Sequence, residues 1–304
     1  MTKTFLSGNK WRAVKNEIIA HIFILPLIVS IIGFTLFPMG VSLYYSFFDY
    51  DIVSPPMNFG LQNYINPFTR DWTGFSGSLA VTFLYTLISL PLNFVLTFAL
   101  SLFLNQKKVK GMRVFRVLYY LPCLIPAVVS GLLWSNITDP DYGVANMILG
   151  KLGIPPFDWF SSADTALVSL FITSLFGIGG GTIIWIAQMN AIPESLLESA
   201  EVEGAGYFRK VFSIIIPCCT PMIFYTLITG VIGGLQTFSS VYVLMNDANS
   251  SSLNFYVIGV YTLAFGKNAF GYACAQSWLL FIIIAILSAC MFKLNKFVVY
   301  GEDF

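Results

Sequence analysis

Residues 198–217, ESAEVEGAGYFRKVFSIIIP, form a charged, glycine-punctuated stretch set among long apolar runs. The run before it, 165–193, and the run into which it leads, 211–246, hold no Asp, Glu, Lys or Arg. The windows 18–48, 72–106, 117–138 and 268–292 share that property. A helix needs about 20 predominantly apolar residues to cross a bilayer, and each of the six windows is long enough. Hydrophobic residues make up 57% of the 304 and charged residues only 10%, a balance foreign to soluble domains. The expected fold is all-α and polytopic, with six membrane-spanning helices.

Spans are expected at about 20–48, 78–104, 112–137, 165–190, 211–243 and 270–295. They lie in a membrane domain over 18–297, with tails at 1–17 and 298–304. The first run far exceeds the apolar core of a cleavable signal and ends in Tyr44, Tyr45, Phe47 and Phe48, so it reads as a retained span. The segment 253–265 is apolar but short, and reads as an outer or re-entrant helix.

Drawing six spans with the N-terminus inside places thirteen of the sixteen basic residues on the cytoplasmic side. They are Lys3, Lys10, Arg12, Lys15, Lys107, Lys108, Lys110, Arg113, Arg116, Arg209, Lys210, Lys293 and Lys296. Only Arg70, Lys151 and Lys267 fall outside, so the positive-inside rule puts both termini and the 198–217 stretch in the cytoplasm.

All fifteen carboxylates are expected in loops or at span edges. A charge at membrane depth costs roughly 2.5–3.5 kcal/mol or more and persists there for function, so an ion-coupled carrier would show one. His21, the one histidine, reads as an interfacial structural residue. No G-x-x-x-x-G-K-[ST] loop is present: Gly150-Lys151 precedes Leu152, and Gly266-Lys267 precedes Asn268. The chain is expected to be non-catalytic and to carry no cofactor, with energy supplied by a separate subunit. The five cysteines lie in or against apolar runs without a histidine partner and read as small apolar fillers, with no metal site.

A short helix is expected at about 193–205. Pro193 suits a first helical position, Glu194 and Glu198 suit the opening turns, and Gly204 with Gly206 suits its end. Glu194, Glu198 and Glu201 form one acidic stripe, flanked by Leu196, Leu197 and Ala200. Interfacial helices are usually basic because the inner leaflet is anionic, so the acidic stripe favours docking on a protein over lying on lipid.

The pattern Glu198-Ser199-Ala200, three residues, Gly204, nine residues, Ile214-x-Ile216-Pro217 resembles the EAA loop of permease subunits of binding-protein-dependent ABC importers, which reads E-A-A-x3-G-x9-I-x-L-P. Ser199 and Ile216 are its two departures. LFPMGVSLYYSFFDYDI (36–52), FRVLYYLPCLIPAVVSGLLW (115–134), DPDYGVAN (139–146) and AFGKNAFGYACAQS (264–277) are similar to the sugar and oligosaccharide branch of that family. The loop NDANSSS (246–252) departs from a Thr-Gly-Gly-Pro-like turn frequent there, a difference that concerns the binding protein or the substrate.

The resemblance implies the type I importer permease fold in a bacterial or archaeal inner membrane. It also implies a second homologous permease as heterodimer partner, an extracytoplasmic solute-binding protein, and two ATP-binding subunits that hold ATP and Mg. No nucleic acid is implied. Glu194, Glu198, Ala200, Glu201, Gly204 and Ala205 would dock the ATPase, with Glu198 making the polar contact, Ala200 the close approach and Gly204 the turn. The cargo would be a sugar or oligosaccharide. The alternatives are a non-sugar solute such as a glycerophosphodiester, or an ion-coupled secondary carrier.

For the substrate path, small and polar residues in spans four and five offer Thr173, Gly177, Gly180, Gly234, Gln236, Thr237 and Phe238, with Asn93, Tyr261 and Gln276 behind them. Sugars are held by amide and hydroxyl hydrogen bonds and by aromatic faces, which singles out the Gln236-Thr237-Phe238 trio. Close helix packing is the competing use of the glycines. Pro217 and Pro221 suit either a hinge or a static kink.

Overall fold

The computed structural model describes residue 19, residues 21–106 and residues 110–295. Both ends of the chain and the internal residues 107–109 lie outside the described residues, and with them Lys3, Lys10, Arg12, Lys15, Glu17, Lys107, Lys108, Lys296, Glu302 and Asp303. The chain is helical with no strand among the described residues. Three helices are long and apolar enough to cross a bilayer: His21–Tyr45, Trp72–Leu104 and Phe270–Leu294. Three bent pairs bring the number to as many as six if each pair is one broken span: Met112–Leu124 with Ala127–Ile137 (97°), Ala163–Gly177 with Gly179–Asn190 (48°), and Tyr207–Cys218 with Thr220–Leu235 (69°). Among the described residues no carboxylate lies inside these spans beyond Asp164, in the first turn of its helix.

Contacts divide the chain into two units. The first holds the described residues up to Ile65 together with Leu263–Trp278. Its helix His21–Tyr45 buries none of its residues, which leaves its apolar surface to lipid or another chain. Ahead of Pro38 the turn Ile32–Leu36 widens, with the Phe37 N–H donating to the Ile32 carbonyl five residues back. The proline ring would otherwise press on the carbonyl four residues before it, and the wider turn relieves that contact. The chain leaving this helix is tied down by Asn63, which donates to the Ser46 and Phe48 carbonyls at 3.0 and 2.9 Å. Gly271 lies against the same backbone: a Cβ there would stand 2.1 Å from the Phe48 carbonyl oxygen.

The second unit is Asn66–Thr262 with the described residues from Leu279 onward. Its longest helix, Trp72–Leu104, starts before the expected 78 and carries a buried row of Ser78, Thr82, Thr86, Ser89, Thr97 and Ser101. Thr82, Thr86 and Ser101 donate to the carbonyls four residues back at 2.7–2.8 Å, so small polar side chains pack without unmet hydrogen bonds. At its far end Arg116 donates twice to the Leu104 carbonyl, at 3.0 and 2.8 Å, closing a helix terminus that has no amide partner of its own.

Two of the three bends follow prolines, while the bend of 48° falls at Gly177-Ile178-Gly179 with no proline near it. Ile125, just before Pro126, is extended (φ −76°, ψ 123°), as a residue ahead of proline prefers, and the helix restarts at Ala127. The turn Val211–Ile215 widens ahead of Pro217 as the turn ahead of Pro38 does, and the chain breaks at Cys219 before Pro221 restarts it. The fifth span ends earlier than expected. Its helix stops at Leu235, residues 236–238 are not helical, and Ser239–Leu244 is a separate helix whose Val241 and Leu244 are buried in a core with Leu170, Leu253 and Phe255. Anchorage to that core turns the chain where an unbroken helix to 243 was expected.

Candidate functional site

The acidic stretch folds as a helix, Glu194–Val202, held at both ends by local chemistry. Pro193 stands at its N-cap with ψ 127°, one position earlier than expected, and Glu194 occupies the first turn, where the amide ends favour a carboxylate. Beyond Glu203 the chain turns left-handed at Gly204 (φ +79°). The Ala205 N–H then reaches the Ala200 carbonyl (2.8 Å) and the Gly204 N–H reaches Glu201 (3.0 Å). These two bonds are the paired closure of a Schellman motif, in which the left-handed residue is glycine because it lacks a Cβ. Gly206 then starts Tyr207–Lys210, the base of the fifth span.

Glu194, Glu198 and Glu201 line a cavity of about 1010 Å³ beneath the helix, facing Asn105, Tyr207 and Lys210. Lys210 pairs with Glu201 at 2.5 Å, tying the helix to the segment that follows it. Ala200 and Ala205 are half-buried where the turn closes, while Leu196, Val202 and Phe208 are exposed apolar side chains, Val202 at 90%. Exposed apolar residues rimmed by charge mark a surface suited to a protein partner.

A second cavity, of about 500 Å³, opens between Trp72–Leu104, Gly179–Asn190 and Thr220–Leu235. Gly234 and Thr237 of the expected path line it, with Asn93, Gly181, Gly230 and Gly233. Thr173 does not: it is buried and donates to the Leu170 carbonyl at 3.1 Å. Gly177 lies at the bend of the fourth span, and Gly180 packs on Cys123, whose Cβ would stand 3.1 Å from an added Cβ. Gln236 is exposed at the C-cap of Thr220–Leu235, and Phe238 packs on Tyr242 and Tyr261.

Tyr85, Ser89, Thr226 and Thr229 also line this cavity, and sequence reading passed them over. Tyr85, Ser89, Asn93 and Thr97 recur every fourth residue, a polar stripe on one helix face that was legible in an otherwise apolar run. The Thr226 and Thr229 hydroxyls donate to the carbonyls of Met222 and Tyr225 at 2.8 Å, leaving their oxygens as acceptors. Among the described residues no Asp, Glu, Lys or Arg lines the cavity. Its lining combines hydroxyls, an amide and bare backbone with aromatic rings and the apolar side chains of Leu90, Ile184 and Met222, an uncharged mixture compatible with a neutral polyhydroxylated molecule.

The loop 246–252 is anchored from within, although most of its residues are exposed. Asn249 is fully buried and donates to the Phe160 and Leu244 carbonyls at 2.7 and 3.0 Å, and Asn246 donates to the same Phe160 carbonyl. Tyr261 stands in the aromatic group with Phe238, and Gln276 is buried within the first unit.

Residues 97–299 match the family described as binding-protein-dependent transport system inner membrane component. Among relatives, the probable ABC transporter permease protein YesP of Bacillus subtilis (strain 168) is 32% identical over 300 residues, covering 97% of this chain and 96% of that protein. The arabinooligosaccharides transport system permease protein AraP of the same organism is 27% identical, covering 90% and 88%. The trehalose/maltose transport system permease protein MalF of Thermococcus litoralis is 26% identical, covering 98% and 99%. Among solved structures, that of a bacterial ABC transporter involved in import of the acidic polysaccharide alginate superposes with a TM-score of 0.85 at 20% identity, covering 96% of this chain and 100% of that one. That likeness establishes the fold.

Proposed function

The chain belongs to the family of binding-protein-dependent transport system inner membrane components, and from that premise we propose that it forms one half of the path for a sugar or oligosaccharide through an ATP-driven importer. A homologous permease forms the other half. Of two ATP-binding subunits in the cytoplasm, one receives the helix Glu194–Val202, and both termini lie on the same side. A solute-binding protein delivers cargo on the opposite side. The chain itself is non-catalytic; its partners hold ATP and Mg, and the energy of hydrolysis reaches it by contact. Saccharide cargo is supported by the names of the relatives AraP and MalF and by the neutral, hydroxyl-rich cavity.

The observation that carries this reading is continuity. The docking helix, its left-handed closure, the Glu201–Lys210 pair, the widened turn at Val211–Ile215 and the cavity-lining helix Thr220–Leu235 follow one another along the chain. A displacement of the docking helix therefore enters the cavity wall with only the bend at Cys219 between them. Glu194, Glu198 and Glu201 supply acceptors to the partner, Ala200 and Ala205 are small enough for close approach, and Gly204 makes the turn.

The test is uptake of radiolabelled maltotriose and arabinotriose into proteoliposomes holding the full complex and its binding protein. Uptake is expected to need ATP and to survive an uncoupler at constant ATP supply. Collapse under the uncoupler would favour an ion-coupled carrier instead.

A further inference from the structure

The acidic helix Glu194–Val202 has a basic counterpart nearer the start of the chain. Residues 107–116 hold five basic residues, and from 72 to 138 there is no Asp or Glu. Arg116 is engaged by the Leu104 carbonyl, where it closes the end of Trp72–Leu104. Lys110 and Arg113 are exposed, and neither makes an ion pair with a described residue.

The helix that follows, Met112–Tyr120 with its tighter continuation to Leu124, has two unlike faces. Met112 is buried, Arg116 bonds to Leu104 and Cys123 lies against Gly180, so positions i, i+4 and i+11 face the protein. Val114, Val117, Leu118 and Leu121, at i, i+3, i+4 and i+7, form the opposite row and are 57–64% exposed. The helix turns 97° into Ala127–Ile137, so the two cannot both follow the bilayer normal. Arg116 holds the first of them at the terminus of Trp72–Leu104, where the chain becomes polar at Asn105 and Gln106. Lys110 and Arg113 therefore stand at the polar boundary of the bilayer, with the apolar row leading from them toward the acyl chains. A basic amphipathic segment at that depth meets the inner leaflet, whose lipids are anionic.

We propose that Lys110 and Arg113, with the row Val114, Val117, Leu118 and Leu121, bind an anionic phospholipid of the inner leaflet. The ammonium and guanidinium groups hold the headgroup phosphate, Arg113 through the two-pronged contact that its planar group favours, and an acyl chain lies along the row. The site rests on the cytoplasmic placement proposed above and not on the cargo.

Photolabelling tests it. Phosphatidylglycerol and phosphatidylcholine, each carrying a diazirine in one acyl chain, are photolysed in proteoliposomes of the full complex, and labelled peptides covering 114–121 are quantified by mass spectrometry. Phosphatidylglycerol is expected to label the wild-type row about tenfold more than phosphatidylcholine, since each cation near the surface favours anionic lipid. Lys110→Gln with Arg113→Gln should bring the two lipids level, while Lys110→Arg with Arg113→Lys should keep most of the preference. Equal labelling of the wild type by both lipids would overturn the site, as would a preference that survives the Gln pair. A row that neither lipid labels would also overturn it and would mark the row as covered by protein. Loading the probes by exchange into one leaflet at a time separates a wrong orientation from a missing site. Preferential labelling only from the leaflet opposite the ATP-binding subunits would overturn the orientation, and with it the inner-leaflet assignment.

Discussion

Gly204 and Gly179 are the same residue used for opposite reasons. In the docking loop Gly204 has a backbone that side chains rarely adopt, yet nothing lies within 4 Å of where a Cβ would stand. In the spans Gly179 has ordinary helical backbone, yet an added Cβ would stand 1.7 Å from the Tyr119 carbonyl oxygen; at Gly230 and Gly234 it would meet Leu90 and Thr86 side chains at 2.6 Å. One region needs glycine for torsion and the other needs it for space. A torsional requirement is written within a few residues of chain, whereas a spatial one depends on a partner sixty or more positions away.

The sharpest way to break this contrast is Gly179→Ala. Backbone meets backbone there, so relief requires the helices to move apart, at a cost above the ~1–3 kcal/mol of ordinary overpacking. Folded permease is expected to disappear from the membrane fraction; normal yield and thermal stability in detergent would refute the close approach. Gly204→Leu should leave the permease folded, because the left-handed conformation costs a chiral residue only ~1–2 kcal/mol in one turn. Retention of ATP-binding subunits on purification, and with it uptake, should be lost. Gly204→Asn should recover much of both, since asparagine tolerates that region. Equal loss in the Asn and Leu variants would argue for space at Gly204 after all.

Gln236→Leu is expected to act more mildly, lowering saccharide uptake several-fold while assembly, followed by co-purification, stays intact. The smallest effect is expected at Gly233→Ala. An added Cβ meets nothing within 4 Å there, and alanine favours helix over glycine by about 0.5–1 kcal/mol. Stability should rise slightly, while the half-saturating sugar concentration shifts as the cavity narrows; a fall in melting temperature would show that this glycine, too, is needed for space.

The same distinction explains what could be read from the chain. The apolar windows announce the all-α membrane fold, and Glu194, Gly204 and Gly206 announce the helix Glu194–Val202 and its ends, because capping and charge act between neighbours in sequence. The stripe Tyr85, Ser89, Asn93, Thr97 is equally legible by its spacing, although only Asn93 of the four stood among the expected path residues. The break at 236–238 was not legible: Gly233 and Gly234 weaken the helix there, but the turn is made by Val241 and Leu244 settling into a core with Leu170 and Phe255. Nor did anything local mark Tyr242, whose partner Tyr261 lies on another helix. Nor does the sequence mark Asn249, whose side chain holds the distant Phe160 carbonyl from inside an otherwise exposed loop.

The left-handed turn after the docking helix also constrains how this chain can change over generations. A glycine codon becomes, by one base substitution, a codon for Ala, Val, Ser, Cys, Arg, Trp, Glu or Asp, and never one for Asn. Of these only Asp is at ease with positive φ, and it would add a negative charge at a helix C-terminus already crowded by Glu198, Glu201 and Glu203. Every single-step neighbour of Gly204 is therefore either strained or repelled. The residue that best replaces it lies two mutations away, across a loss of coupling.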